Sequence, residues 1–283
     1  MRSIAPSLFK EFDMQNQDQP ALISEVIRSF DQLASMWQVI VADRGDADLR
    51  DLPGLTIRWA DSRFPFWNTL IFSEWNAGRK YAGDILAQAS AYMRGKRQPG
   101  LIWICEEFLV PPVRASLPEI AAERGLAFSL TCHGMEGEFL PIPAPSHPGL
   151  SFVRATTEEL MLAYGEINAA GYGWEPEIGH AGLKHSRLWK EGMQAWLGLE
   201  DGLPVTAAAT IANQGSLFVA LVATTPAAQR KGYGEAVTRK ALYEGARQTG
   251  LTRAVLHATD AGMPVYRRIG FRKVATFRLY GLA

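Results

Sequence analysis

Val222-Ala-Thr-Thr-Pro-Ala-Ala-Gln-Arg-Lys-Gly-Tyr-Gly-Glu235 runs a β-rich stretch into a proline, then through a basic, glycine-bearing loop straight into a helix. This is the composition of an anion site. The first turn of a helix presents backbone N–H groups without intrahelical partners, and the macrodipole adds partial positive charge there. Gly232 and Gly234 carry no side chain to hold a pyrophosphate away, and they allow positive φ. Arg230 and Lys231 add two full charges. Other nucleotide signatures do not fit: Glu235-Ala-Val237 follows Gly234, so the third glycine of a dinucleotide fingerprint is missing, and no glycine-lysine-serine or glycine-lysine-threonine ends a P-loop.

Working outward, Glu235–Thr249 has helical spacing and Gly250 at its C-terminal end. Ala254–Ala258 reads as a strand, a short helix closes at Gly270, and residues 271–280 are extended. Upstream, Trp196–Glu200 and Thr206–Ile211 flank the turn Asp201-Gly202 as a hairpin, Leu217–Ala223 is a third strand, and a helix runs from Thr156 or Thr157 to Asn168. Leu140-Pro-Ile-Pro-Ala-Pro-Ser-His-Pro-Gly149 cannot continue a helix or sit in a central strand, and reads as a linker. Before it come helices over residues 21–36, 81–93 and 117–124, with strands at 55–59, 69–72 and 101–105. Alternating strands and helices predict an α/β (α+β) chain of two domains, 1–143 and 150–283.

Composition excludes several functions. The 283 residues carry 29 basic and 29 acidic side chains, a balance unlike the phosphate-neutralising surface of a nucleic-acid binder. A 47% hydrophobic content is too high for disorder. No uninterrupted apolar stretch suits a membrane span, and residues 1–13 lack the apolar core of a signal peptide. Cys105 and Cys132 make no metal-ligand spacing, so no metal is expected, and they suit a reducing, cytoplasmic setting.

Gln229-Arg-Lys-Gly-Tyr-Gly234 resembles the Q/R-x-x-G-x-G/A signature with which GNAT (Gcn5-related) N-acetyltransferases hold the acetyl-CoA pyrophosphate. Thr259-Asp-Ala-Gly-Met-Pro-Val-Tyr-Arg-Arg-Ile-Gly-Phe271 is similar to the family's later segment, with a tyrosine four residues before Gly-Phe and a matching separation. Thr259 and Gly262 depart from the asparagine and alanine common there. More faintly, Arg58-Trp59, Phe64-Pro-Phe-Trp-Asn68 and His133-Gly-Met135 resemble the first half of bacterial tandem GNAT proteins. In those the fold persists without the cofactor loop, and here Glu107–Val113, after the 101–105 strand, has no glycine.

The resemblance implies two tandem domains packed face to face, each a mixed sheet flanked by helices, with acetyl-CoA in the second. It implies direct transfer to a small-molecule amine. Tyr266 is then the candidate general acid for the departing thiolate, since a phenol near pKa 10 suits that donor. Val222 and Thr224 are cofactor contacts through main-chain atoms, joined by Gln229, Arg230, Lys231, Gly232, Tyr233, Gly234 and Thr259. Tyr233 either caps the loop or packs. Tyr172, Trp174 and Glu175, in the glycine-broken stretch 168–176, are acceptor candidates. Glu166, Glu175, His180 and His257 stay open as general base, with a core role favoured for His257. The first domain either walls off the acceptor pocket or mediates a homodimer. A non-catalytic acyl-CoA sensor and a protein-lysine acetyltransferase are the competing readings.

Overall fold

A computed structural model describes residues 19–139 and 143–283. The N-terminal stretch read above for a leader, and residues 140–142 of the proline-rich passage, lie outside them. The first half holds α1 (Gln19–Ala42), β1 (Asp48–Leu52), β2 (Leu55–Trp59), β3 (Asn68–Phe72), α2 (Arg79–Arg94), β4 (Leu101–Cys105), α3 (Pro111–Ala115), α4 (Leu117–Glu123) and β5 (Leu126–Glu138). The second holds β6 (Ser151–Arg154), α5 (Glu158–Gly171), α6 (Pro176–Leu183), β7 (Gln194–Glu200), β8 (Leu203–Asn213), β9 (Ser216–Thr224), α7 (Tyr233–Thr249), β10 (Arg253–Thr259), α8 (Met263–Ile269) and β11 (Arg272–Leu282). No helix among the described residues is long and apolar enough to cross a membrane.

The strands form one mixed sheet in the order β1-β2-β3-β4-β11-β5-β10-β9-β8-β7-β6. Each half therefore lends its last strand to the other. β5 pairs with β10 from Arg253↔Glu138 to Thr259↔Cys132, while β11 lies between β4 and β5. The halves meet edge to edge through these strands, which corrects the expectation of face-to-face packing.

Period-two alternation divides the side chains between two layers. Ile57, Leu70 and Ile102 point to the core beneath α2 and α4. Ile71, Trp103 and Cys105, one residue out of step, join Phe218 and Val255 in a second core under α1 and α5. Behind β9 and β10, Leu217, Val219 and Leu256 meet Leu242 of α7 and Tyr266 and Ile269 of α8.

Helix α1 spans both halves. Arg28 Nε donates to Glu136 on β5 at 3.1 Å, Gln32 Nε2 to the Asn213 carbonyl on β8 at 3.0 Å, and Trp37 Nε1 to the Phe66 carbonyl at 2.7 Å. The turn just after it holds the second half too, as Asp43 accepts from Ser186 Oγ at 2.5 Å.

The sequence reading missed β1, α3, β5, β6 and α6. β1, Asp-Leu-Arg-Asp-Leu, is a charged edge strand whose composition hides its pairing. In β5 the strand pattern is broken by Gly134, where a Cβ would stand 2.1 Å from Ser29 Oγ on α1. The glycine serves the close approach of that helix.

Candidate active site

β9 and β10 run parallel but pair only at Ala254↔Leu217 and Val255↔Phe218. Beyond this point β9 follows β8 and β10 follows β5, so the two strands splay. The main-chain edges of 219–224 and 256–259 then face each other across a gap, without ladder partners between them. Within the gap β9 bulges: its register against β8 shifts between Ala207 and Ala209, and Leu221 adopts φ +45°. Tyr164, fully buried on α5, braces this bulge by donating to the Leu221 carbonyl at 2.9 Å. Sequence reasoning passed Tyr164 over, because at its helical position it reads only as core. Tyr164→Phe leaves that carbonyl without its donor, and is expected to cost about 1–3 kcal/mol by urea denaturation and to lower turnover along with stability.

In the first half, β3 is the strand that stands where β9 stands in the second. It stays paired with β4 at four successive positions, Thr69↔Leu101 to Phe72↔Ile104, so no gap opens. The counterpart of the phosphate loop is thus residues 73–78, before α2, and not the 107–113 segment considered from sequence. It does contain a glycine, Gly78, which caps α2 in an extended conformation at φ −77°.

The groove beside the splay has a volume of about 460 Å³. Gly232 caps α7 at φ +83° with no side-chain hydrogen bond, leaving the first-turn N–H groups directed at the groove. A Cβ on Gly234 would stand 3.2 Å from Thr224 Oγ1, so the cradle floor is at contact distance already. Val222, Thr224, Gln229, Arg230, Gly232 and Gly234 all line it. Gln229 is engaged internally, its Nε2 donating to the Thr224 carbonyl at 3.3 Å. Arg268 also lines the groove, unforeseen from sequence, and pairs with Glu235 at 3.0 Å. Glu235 sits in the helix's first turn. Burial alone would raise its carboxyl pKa, but the hydrogen bonds of Arg268 and Arg239 outweigh that and hold it below the usual range.

Two residues of the loop turn elsewhere. Lys231 Nζ bonds both oxygens of Glu200 at 2.8 and 3.0 Å, and is not among the groove-lining residues. Tyr233, whose ring edges against His147, donates to Glu200 at 2.5 Å. It lines the groove yet is 5% exposed, so it packs as it caps. These two donors hold Glu200 below its ordinary carboxylate range.

At the inner end of the groove stand Tyr266 and Thr259. Thr259 Oγ1 accepts from the Gly262 N–H at 3.3 Å, fixing the turn into α8. Tyr266 and Thr259 also line a second, inner cavity of about 110 Å³. Burial raises the Tyr266 phenol well above its ordinary value, with smaller contributions from Tyr172 and Cys132. The hydroxyl accordingly stays protonated through the neutral range.

The inner cavity also takes Trp37, Phe66, Trp103 and Cys132 from the first half. Tyr172 lines groove and cavity alike. It stacks on Trp174 at 4.9 Å and edges against Phe66 at 5.1 Å. Trp174 faces the neighbouring cavity beside Phe66 and Leu130. Glu175 lines none of these cavities: it is the exposed N-cap of α6. His180 pairs with Glu166 at 2.7 Å, away from the cavities.

His257 does line the inner cavity, with Nε2 3.3 Å from Ser29 Oγ. Burial lowers its pKa to about 3. The unfolded chain, with an ordinary histidine near 6.5, then binds more protons than the fold between those values, so stability rises with pH across that window. Chemical denaturation at pH 6.5 and 5.0, above the main carboxylate range, is expected to show lower stability at pH 5.0, and His257→Leu to flatten the difference. No cluster of three metal-ligating side chains occurs among the described residues.

Residues 175–278 match the family model described as an acetyltransferase (GNAT) domain. Among solved structures, a GCN5-related N-acetyltransferase from Kribbella flavida is 20% identical and superposes with a TM-score of 0.64 over 90% of this chain and 95% of its own. A GCN5-related N-acetyltransferase from Sphaerobacter thermophilus is 14% identical, TM-score 0.56, over 81% and 76%. A tandem GNAT protein from the clavulanic acid biosynthesis pathway is 13% identical, TM-score 0.50, over 75% and 74%. Comparison with curated proteins gives no match. The splayed strands and the glycine-capped helix both lie within residues 175–278, the segment that matches a GNAT acetyltransferase domain.

Proposed function

We propose that this chain transfers an acetyl group from acetyl-CoA to the primary amine of a small molecule, at the gap between β9 and β10. The observation that carries the reading is the continuity of that gap: a glycine-capped helix N-terminus at one end, the inner cavity at the other, and Tyr266 lining both. Acetyl-CoA, when bound, supplies the acyl carbon, the amine nitrogen forming its bond to that carbon as the carbon–sulfur bond breaks. Gly232, Gly234 and Arg230 would hold the pyrophosphate. The free edge of β9 at 219–224 offers N–H groups to the pantetheine arm and the carbonyl oxygen. Tyr266 gives its proton to the leaving sulfur, and the proton lost by the amine nitrogen passes to water.

The halves are read as two related domains, 1–143 and 150–283, the first without a cofactor site. The closed β3–β4 pairing supports that. Calorimetric titration with acetyl-CoA is expected to give one site per chain, followed by thiol release with an amine panel. Two sites would restore a cofactor role to the first half, and binding without turnover of any amine would favour a sensor.

A further inference from the structure

The inner cavity, about 110 Å³, is smaller than the ~150 Å³ that admits a benzene, so it takes an amine and little of what carries it. A second cavity, about 490 Å³, continues it along the same face of the sheet. On β4 the wall steps from Trp103 to Leu101, and on β5 from Cys132 to Leu130. Residues two apart on a strand share a face, and each step is about 7 Å. Phe66 and Tyr172 line both cavities, with their rings 5.1 Å apart, and Tyr172 lines the cofactor groove as well. Groove, inner cavity and outer cavity thus succeed one another around Tyr172.

The outer cavity changes character along its length. Beside Tyr172 it is apolar, with Phe66, Trp174, Leu101 and Leu130. Gly100 and Gly281 leave its floor bare, and its far rim carries Arg94, Lys96 and Arg97. Among the described residues no Asp or Glu lines it. Carboxylates nearby are too few to balance that rim. Lys96 Nζ stands 3.8 Å from Asp48, which Arg50 already clasps at 2.6 and 2.7 Å. Arg97 Nε bonds Asp61 at 2.9 Å. Arg94 donates only to a neutral group, its Nε meeting Ser90 Oγ at 3.3 Å. Its guanidinium reaches over Gly125, next to Leu126 on β5, which pairs with Leu282 of the cavity. Two carboxylates therefore answer four cations, and Arg94 is the one left over.

We propose that the acceptor is an elongated primary amine with a carboxylate at its far end. The amine enters the inner cavity toward Tyr266, an apolar middle passes Phe66 and Tyr172 and lies on Leu101 and Leu130, and the carboxylate meets Arg94, which holds it by charge-assisted hydrogen bonds. This rests on the acetyltransferase reading and narrows it. The first half then supplies the outer part of the acceptor site, and Arg94 acts in binding and selection, not in proton transfer. A second ammonium at the far end would meet the surplus positive charge of the rim.

The test uses the full chain with 8-aminooctanoate, 8-amino-1-octanol, 1,8-diaminooctane and 3-aminopropanoate. Acetyl-CoA-dependent thiol release is expected to favour the long amino acid over its alcohol by at least about tenfold in kcat/KM, with the diamine lower still. The short amino acid cannot reach both cavities and is expected at least about tenfold below the long one. Arg94→Gln, at an exposed position, should bring the acid-to-alcohol ratio close to one. Ser129→Trp, which fills the outer cavity from another exposed position, should erase the advantage of the long amino acid over the short. An alcohol or diamine turned over as well as the acid overturns the inference, as does an undiminished ratio in Arg94→Gln. Binding of 8-aminooctanoate followed by tryptophan fluorescence needs no turnover: a saturable change weakened about tenfold in Arg94→Gln is expected, and no saturable change overturns the acceptor class even where acetyl-CoA binds normally. Failure of acetyl-CoA to bind in calorimetry instead strikes the acetyltransferase reading itself.

Discussion

Tyr266→Phe is expected to lower kcat by about 10²-fold or more while leaving acetyl-CoA affinity, measured by calorimetry, unchanged. The ring does structural work that phenylalanine preserves. It edges against Phe271 at 5.9 Å and fills the space above Gly262, whose Cβ would lie 3.1 Å from it. Only the hydroxyl is lost, from a residue that lines both groove and cavity. Because burial keeps the phenol protonated, an alkaline fall in wild-type rate below pH 10 belongs to another group. A Tyr266→Phe enzyme with wild-type kcat removes Tyr266 from the chemistry.

The second large effect concerns the loop. Gly234→Trp is expected to abolish measurable acetyl-CoA binding in a protein whose circular dichroism and melting temperature match wild type. The added side chain starts 3.2 Å from Thr224 Oγ1 and extends into the space a pyrophosphate needs. Losing two hydrogen bonds to a charged group, at about 1.5–3 kcal/mol each, weakens Kd by roughly 10²–10⁴-fold. Gly232→Trp would add backbone strain, since a tryptophan at φ +83° is outside its ordinary range, so Gly234 is the cleaner probe. Retained affinity in Gly234→Trp would place the pyrophosphate elsewhere.

The loop was legible because one uninterrupted segment carries it: Gln229 to Gly234 needs only its own glycines and the helix that follows. Strand and helix cores at 55–59, 101–105 and 235–249 were legible for the same reason, their periodicity being local. The inner cavity was not. Trp37, Phe66, Trp103 and Cys132 stand on four separate elements, and only the exchange of β5 and β11 brings them against Phe218 and His257. Charge was legible in amount but not in destination. Lys231 reads as a phosphate ligand in the loop, yet Glu200, in the neighbouring hairpin, captures it. Glu175 reads as an acceptor contact, but Pro176 starts a helix and leaves the carboxylate at its exposed cap.

The exchange of strands also sets an order of events during synthesis. β11 leaves the ribosome after the other ten strands, and its place is between β4 and β5. Until it arrives, the β4 edge of the first half is bare, and β5 has yet to be flanked by both of its partners. The sheet of the first half is therefore finished only once the second has been translated, and its nascent form presents an open edge for chaperones to shield. Loss of β11, though far from the first half in sequence, would open that half's sheet between β4 and β5 and loosen the aromatic wall it contributes to the site.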